Sequence, residues 1–297
     1  MSTRRSARVR EAALGYALVV PALLLVTVFI LYPFFKNFSL FLYHAPPYPG
    51  LPSKWAGLSQ MWETVSSTSF QQGLEATLLY TVLVVPIGVF LGLVFAVAAH
   101  QKLKGMAIYR TIFATTAVSS VAVAAVVFGT FMNPVFGLLP WLGIDPNPSV
   151  LQNPTWAMVA MAVIGLWQFV GLSFILFSAG LQSLPEEVLE AAKIDGAGAV
   201  RSFFQITVPL LSPTIFYVFT VGTIAAMFTF GQMDLLVGPG GASFVRVNTL
   251  AYQIYQYAVT TPNPGVAACI SIALFILTAT ITFLNFRFLE RRVNYAT

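Results

Sequence analysis

Long stretches without a charged residue dominate this chain and decide what it can fold into. Ala12 to Phe35 lies uncharged between Glu11 and Lys36, and Ala76 to Gln101 lies uncharged between Glu75 and Lys102. A helix rises about 1.5 Å per residue, so roughly 20 apolar residues cross a hydrocarbon core about 30 Å thick, and each run is one span. Thr111 to Ile144 is uncharged for long enough to hold a helix and a loop, with Asn133-Pro134 marking where the helix stops. After the loop Pro140 to Pro154 the same pattern resumes. It predicts six spans, at about 12–35, 76–100, 108–132, 155–181, 210–236 and 265–288, the last following the turn Pro262-Asn263-Pro264. Of 297 residues 58% are hydrophobic and 8% charged, against about 25% charged in a soluble domain, so most of the surface must face lipid. The predicted fold class is all-α, a polytopic membrane protein with residues 1–297 as a single transmembrane domain.

Orientation follows from where the basic residues lie. With the N-terminus cytoplasmic, Arg4, Arg5, Arg8, Arg10, Lys102, Lys104, Arg110, Lys193, Arg201, Arg287, Arg291 and Arg292 fall inside, twelve of the fifteen Lys and Arg. Lys36, Lys54 and Arg246 fall outside. This bias predicts cytoplasmic N- and C-termini and accounts for the net charge of +5 without a nucleic-acid partner. The first apolar run is longer than the 7–15 residues of a signal-peptide core, and no small-residue cleavage site precedes Tyr32-Pro33, so it reads as a retained anchor.

The loops differ in kind. In the external segment 36–74, Trp55, Leu58, Met61, Trp62 and Val65 recur at helical spacing, as in an interfacial amphipathic helix whose tryptophans anchor at the headgroups. The second external segment, 237–264, carries Gly238-Pro239-Gly240-Gly241, suited to a tight loop. No Gly-Lys pair occurs anywhere, so a Walker A phosphate loop is excluded and the chain is not itself an ATPase. His44 and His100 fall in opposite loops and cannot share a metal or a triad, and Cys269 is alone, which argues against an enzyme and against a bound metal. Asp234 and Glu75 sit near the outer ends of spans five and two, as interfacial charges or, for Asp234, facing a polar pathway.

The loop between spans four and five is built to start and stop a short cytoplasmic helix. Ser183 and Glu186 have capping-box spacing, Pro185 suits a first turn, Glu186, Glu187 and Glu190 favour the positive helix end, and Gly196 and Gly198 end it. Its apolar residues Val188, Leu189, Ala191, Ala192 and Ile194 leave two readings open. The helix lies flat on its own bundle, or it docks on another protein.

Glu190-Ala191-Ala192, three residues, Gly196, nine residues, then Ile206 and Pro209 resembles the EAA loop of binding-protein-dependent ABC importer permeases, with Val208 where the family has Leu. Asp195-Gly196-Ala197 and Phe203 to Leu210 resemble the carbohydrate-uptake, maltose-type branch. So do Pro21 to Tyr43, Asn133-Pro134 to Gly143, and Thr249-Leu250 with Ile254-Tyr255. The stretches Glu190 to Pro213 and Asn285 to Tyr295 look closest to its glycerol-3-phosphate subfamily.

The resemblance implies that loop 183–209 carries the coupling helix. Glu190 would contact an ATPase surface, Ala191 and Ala192 would permit close approach, Gly196 would turn the chain, and Ile206 and Pro209 would complete the motif. It further implies two ATPase subunits that hold ATP and Mg, a second permease subunit of different sequence, an extracytoplasmic solute-binding protein and a bacterial-type inner membrane. No cofactor is expected on this chain. The implied solute is sn-glycerol 3-phosphate or a sugar or disaccharide of the trehalose or maltose class. Trp167, Gln168, Phe230, Gln232 and Asp234 are the candidate pathway residues, offering aromatic faces, amides and one carboxylate. A secondary transporter working without an ATPase is the alternative, although no mid-span carboxylate offers itself for ion coupling.

Overall fold

A computed structural model describes residues 2–44, 53–100, 105–143, 149–185, 187, 188, 194, 196, 198–238, 241 and 243–288. The chain is an all-α polytopic membrane protein. Helices α1 (Ser2–Val26) and α2 (Tyr32–Leu40) run end to end into a two-stranded hairpin, where Tyr43 pairs with Trp55 and His44 with Lys54. Then come α3 (Ser59–Ser66), α4 (Thr68–His100), α5 (Met106–Val118), α6 (Val121–Phe131), α7 (Leu138–Trp141) and α8 (Pro154–Gln182). Beyond the loop lie α9 (Ala199–Ser202), α10 (Val208–Leu210), α11 (Ser212–Met227), α12 (Gly231–Leu236), α13 (Phe244–Val247), α14 (Leu250–Tyr255) and α15 (Pro264–Phe288). The amphipathic segment expected around Trp55 to Val65 divides. Trp55 ends the hairpin, edge-on to Tyr43 at 5.2 Å, and the helix occupies Ser59–Ser66.

Four helices are long and apolar enough to cross a bilayer, Leu14–Leu40, Thr68–His100, Pro154–Gln182 and Pro264–Phe288. Two bent pairs qualify if each is one span. Ala107–Val118 and Val121–Phe131 meet at 103°, and Val200–Leu210 meets Ser212–Met227 at 69°.

Three π turns share one cause. Thr27–Leu31, Phe203–Thr207 and Gln256–Thr260 each close with an i+5 bond, from the Tyr32, Val208 and Thr261 amides to the Thr27, Phe203 and Gln256 carbonyls. The residue after each of those donors is a proline, Pro33, Pro209 or Pro262. Proline has no N–H and its ring collides with the carbonyl four residues back. Widening the preceding turn to i+5 relieves that collision and leaves the chain helical up to the proline.

The bundle is held by small residues, because lipid offers no hydrophobic drive between helices and close approach must supply the attraction. On α4, Gly88 faces the Phe169 ring and Gly92 faces Ser173, both on α8, so tightly that a Cβ at either would overlap its neighbour. Gly222 of α11 closes on the same Phe169 ring. From α8, Gly165 abuts the Tyr80 hydroxyl and Gly171 abuts Thr116 of α5. Around these contacts Tyr80, Met161, Ile164, Phe174, Phe177, Met227 and Leu274 are buried. The first span stands apart, with none of its most apolar window buried and Phe34 of α2 edge-on to Phe275 of α15 at 5.7 Å.

Candidate functional site

The break in the third candidate span locates Gln168. Ser119 and Ser120 separate α5 from α6, and a break strands carbonyls that lipid cannot satisfy. The Gln168 Nε2 donates to the Ser119 carbonyl at 3.0 Å, and the Ser120 hydroxyl accepts from the Val123 amide at 3.2 Å as the N-cap of α6. Trp167, its neighbour on α8, lies edge-on to Phe128 of α6 at 5.5 Å. Both pathway candidates on α8 thus pack against the bent pair.

A second polar centre lies between α4, α8 and α12. The Gln232 side chain is buried, and its Nε2 donates to the Tyr80 hydroxyl at 2.6 Å and to the Met161 carbonyl at 3.2 Å. One amide therefore ties three helices together. Two residues along α12, the Asp234 carboxylate accepts from the Tyr252 hydroxyl at 3.0 Å. Burial, and after it the Asp234 carboxylate, push the Tyr252 phenol above its usual range. Phe230, part-exposed, stacks on Tyr255 at 5.3 Å, and Tyr255 stacks on Tyr252 at 6.3 Å. The aromatic column Phe230, Tyr255 and Tyr252 thus stands beside the only acid of α12.

Helix α14 presents two of these tyrosines and is fixed from its N-terminus. Its cap Thr249 accepts from the Tyr252 amide at 3.3 Å and donates to the Thr229 carbonyl at 3.1 Å, while Thr77 of α4 accepts from the Leu250 amide at 2.9 Å. Sequence reading named Phe230, Gln232 and Asp234 but missed Tyr80, Tyr252 and Tyr255. Tyr80 was detectable as one phenol in an otherwise apolar run. The pairing of Tyr252 with Asp234 across 18 positions left no trace in spacing.

At the other end of the bundle, Arg110 donates from Nη2 to the Ala99 carbonyl at 3.1 Å, closing the C-terminus of α4. Here the loop after α8 begins. Ser183 is the C-cap of α8, its hydroxyl donating to the Gly180 carbonyl at 2.7 Å, and Glu186, its expected capping-box partner, lies outside the described residues. Glu187, Val188 and Ile194 are helical and exposed, Ile194 to 85%. Gly196 has φ +78° with open space around its Cα, a backbone setting in which any side chain is strained. Glu190, Ala191 and Ala192 lie outside the described residues. Ile206 falls in the π turn Phe203–Thr207 that Pro209 induces.

Among the described residues no three His, Cys, Asp or Glu side chains gather as a metal site. His44 and His100 stand at opposite ends of α4, whose 33 residues span about 50 Å.

Comparison with known proteins places this arrangement. Two relatives match nearly end to end. The sn-glycerol-3-phosphate transport system permease protein UgpA of Agrobacterium fabrum (strain C58) is 32% identical over 287 residues, covering 95% of this chain and 96% of the relative. The protein of the same description from Yersinia enterocolitica is 34% identical over 287 residues, with the same coverage. A crystal structure of a bacterial alginate ABC transporter, in complex with an alginate pentasaccharide-bound periplasmic protein, has a chain of the same fold. Its TM-score is 0.84 at 19% identity, covering 98% of this chain and 99% of that one. The model of the family described as "Binding-protein-dependent transport system inner membrane component" matches residues 85–295. The chain belongs to that family, as a multi-pass inner-membrane permease component of a binding-protein-dependent ABC importer.

Proposed function

We propose that this chain is one of two membrane-spanning subunits of an ATP-driven importer for sn-glycerol 3-phosphate, with loop 183–209 docked on an ATPase subunit. The observation that carries the docking is Ile194, an apolar side chain 85% exposed on a charged loop. A helix lying flat on its own bundle would bury that side chain. Exposure favours the docking reading, in which Glu190 makes the polar contact, Ala191 and Ala192 allow close packing and Gly196 turns the chain at its positive φ.

Two ATPase subunits holding ATP and Mg then act on two such loops, one from this chain and one from a second permease of different sequence. Closure of the ATPases moves each loop as a lever. The lever here passes through the π turn at Phe203–Thr207 and the 69° bend at Leu211 into α11, which packs on Phe169 through Gly222. Movement of α11 therefore bears on α4 and α8 together. Both termini are cytoplasmic in this reading, and an extracytoplasmic binding protein delivers solute at the end where Glu75 and Arg246 lie.

The solute class rests on the full-length similarity to glycerol-3-phosphate permeases. One feature favours a neutral sugar as a second reading. The part-exposed face of Phe230, backed by Tyr255, offers an aromatic platform of the kind that sugar rings stack on. Trp167, Gln168, Gln232 and Asp234 frame the pathway in either case.

The docking is tested with Ile194→Cys in a Cys269→Ser background, coexpressed with the ATPase. A bifunctional thiol–amine reagent should join the two chains in membranes. Reaction of Ile194→Cys with small thiol reagents, but never with the ATPase, would reject the assignment.

A further inference from the structure

Resting on the glycerol-phosphate reading, we infer that Arg246 is the group that receives the phosphate of the incoming solute, in competition with Glu75. Arg246 stands on α13, a short helix held by buried Val247 and by Phe244 edge-on to Tyr252 at 5.9 Å. The guanidinium is thereby presented from a fixed backbone. Its Nη1 donates to Glu75 Oε1 at 2.9 Å, and among the described residues no other acceptor engages it. Both side chains remain mostly exposed, 58% for Arg246 and 63% for Glu75.

The pair opens onto a cleft of about 180 Å³ that Gln72, Ala76 and Leu79 of α4 complete. One water needs about 10–15 Å³ of such a volume, so the cleft has room for a small anionic headgroup. An exposed, single-bonded ion pair is held weakly, whereas a guanidinium fork can grip a phosphate through two parallel bonds. Exchange of Glu75 for phosphate therefore gains contacts without leaving a buried charge behind. The Gln72 amide lies on the same cleft wall and supplies a neutral donor. With Lys36 and Lys54, Arg246 belongs to the three basic residues that the charge pattern places outside, and of the three it is the one that lines this cleft.

The competition sets a sign that distinguishes this role from a structural one. The Glu75 carboxylate repels the phosphate it competes with, so removing its charge should help capture, while removing the Arg246 charge should weaken it. A pair that merely staples α13 to α4 would lose the same thing from either side.

The test uses the assembled transporter in proteoliposomes with ATP inside and its binding protein saturated outside. Initial uptake of glycerol 3-phosphate should fall about tenfold in Arg246→Gln, the scale of a lost charge-assisted contact, and should rise above the parent in Glu75→Gln. Arg246→Lys, which keeps the charge and loses the fork, should fall between Arg246→Gln and the parent. An Arg246→Gln rate within twofold of the parent, or a Glu75→Gln rate at or below it, would overturn the inference and leave the transport reading standing. A parent transporter that moves no glycerol 3-phosphate would overturn both.

Discussion

Replacing Gly165 by alanine inverts the usual sign of that substitution in a helix. In an open helical position Gly→Ala stabilises by roughly 0.5–1 kcal/mol, because alanine loses less backbone entropy. At Gly165 the added Cβ would collide with the Tyr80 hydroxyl and stand 2.9 Å from its Cζ and 3.3 Å from Val84 Cγ2. Tyr80 is fully buried, so it can move only by disturbing α4, and overpacking of that kind costs about 1–3 kcal/mol. Its hydroxyl also accepts from Gln232 at 2.6 Å, an interhelical bond that averages about 0.6 kcal/mol within membranes. Packing is the larger loss and outweighs the entropic gain, for a net destabilisation of roughly 1–2 kcal/mol. Reversible unfolding of the purified permease in mixed detergent measures this directly. Gly15→Ala, where nothing lies within 4 Å, serves as the comparison and should be neutral or stabilising. Combining Gly165→Ala with Tyr80→Leu should recover part of the loss relative to the two single changes added together. A Gly165→Ala protein as stable as the parent would refute the claim that α4 and α8 meet through this contact.

Gln168→Leu should destabilise by about 1–3 kcal/mol, by leaving the Ser119 carbonyl without its donor at the α5–α6 break, and should speed proteolysis near residue 119. Single cysteines at Lys54 and Lys193, in a Cys269→Ser background, should react with impermeant thiol reagents from opposite sides of the membrane, and labelling of both from outside would reject the orientation. Gly196→Leu should uncouple solute-stimulated ATP hydrolysis from uptake without lowering the amount of permease in the membrane, since no leucine is at ease at φ +78°. Equal coupling in Gly196→Leu and the parent would count against the turn.

Apolar runs were legible because hydrocarbon thickness imposes length on every spanning helix, and the long helices α4, α8 and α15 follow from that alone. The break at Ser119 was not, since two serines in an apolar run carry no turn signal, and the donor that satisfies the break comes from Gln168, 49 positions away. Likewise Leu210 to Leu236 reads as one run, whereas α11 stops at Met227 and Gly231 opens a separate α12. The π turns are different. Each precedes a proline by a fixed offset, so Pro33, Pro209 and Pro262 announce them to a reader who treats proline as reshaping a helix as well as ending it. Of the site, the amides and Asp234 were visible as polar residues in apolar surroundings, but their partners Tyr80 and Tyr252 are set by helix packing that no local pattern encodes.

The most direct test of the account is solute uptake by the reconstituted complex of this chain, its partner permease and the ATPases. With ATP enclosed and binding protein outside, glycerol 3-phosphate should accumulate, and omitting either ATP or the binding protein should stop it. Accumulation driven by an ion gradient alone, with the ATPases absent, would contradict the account.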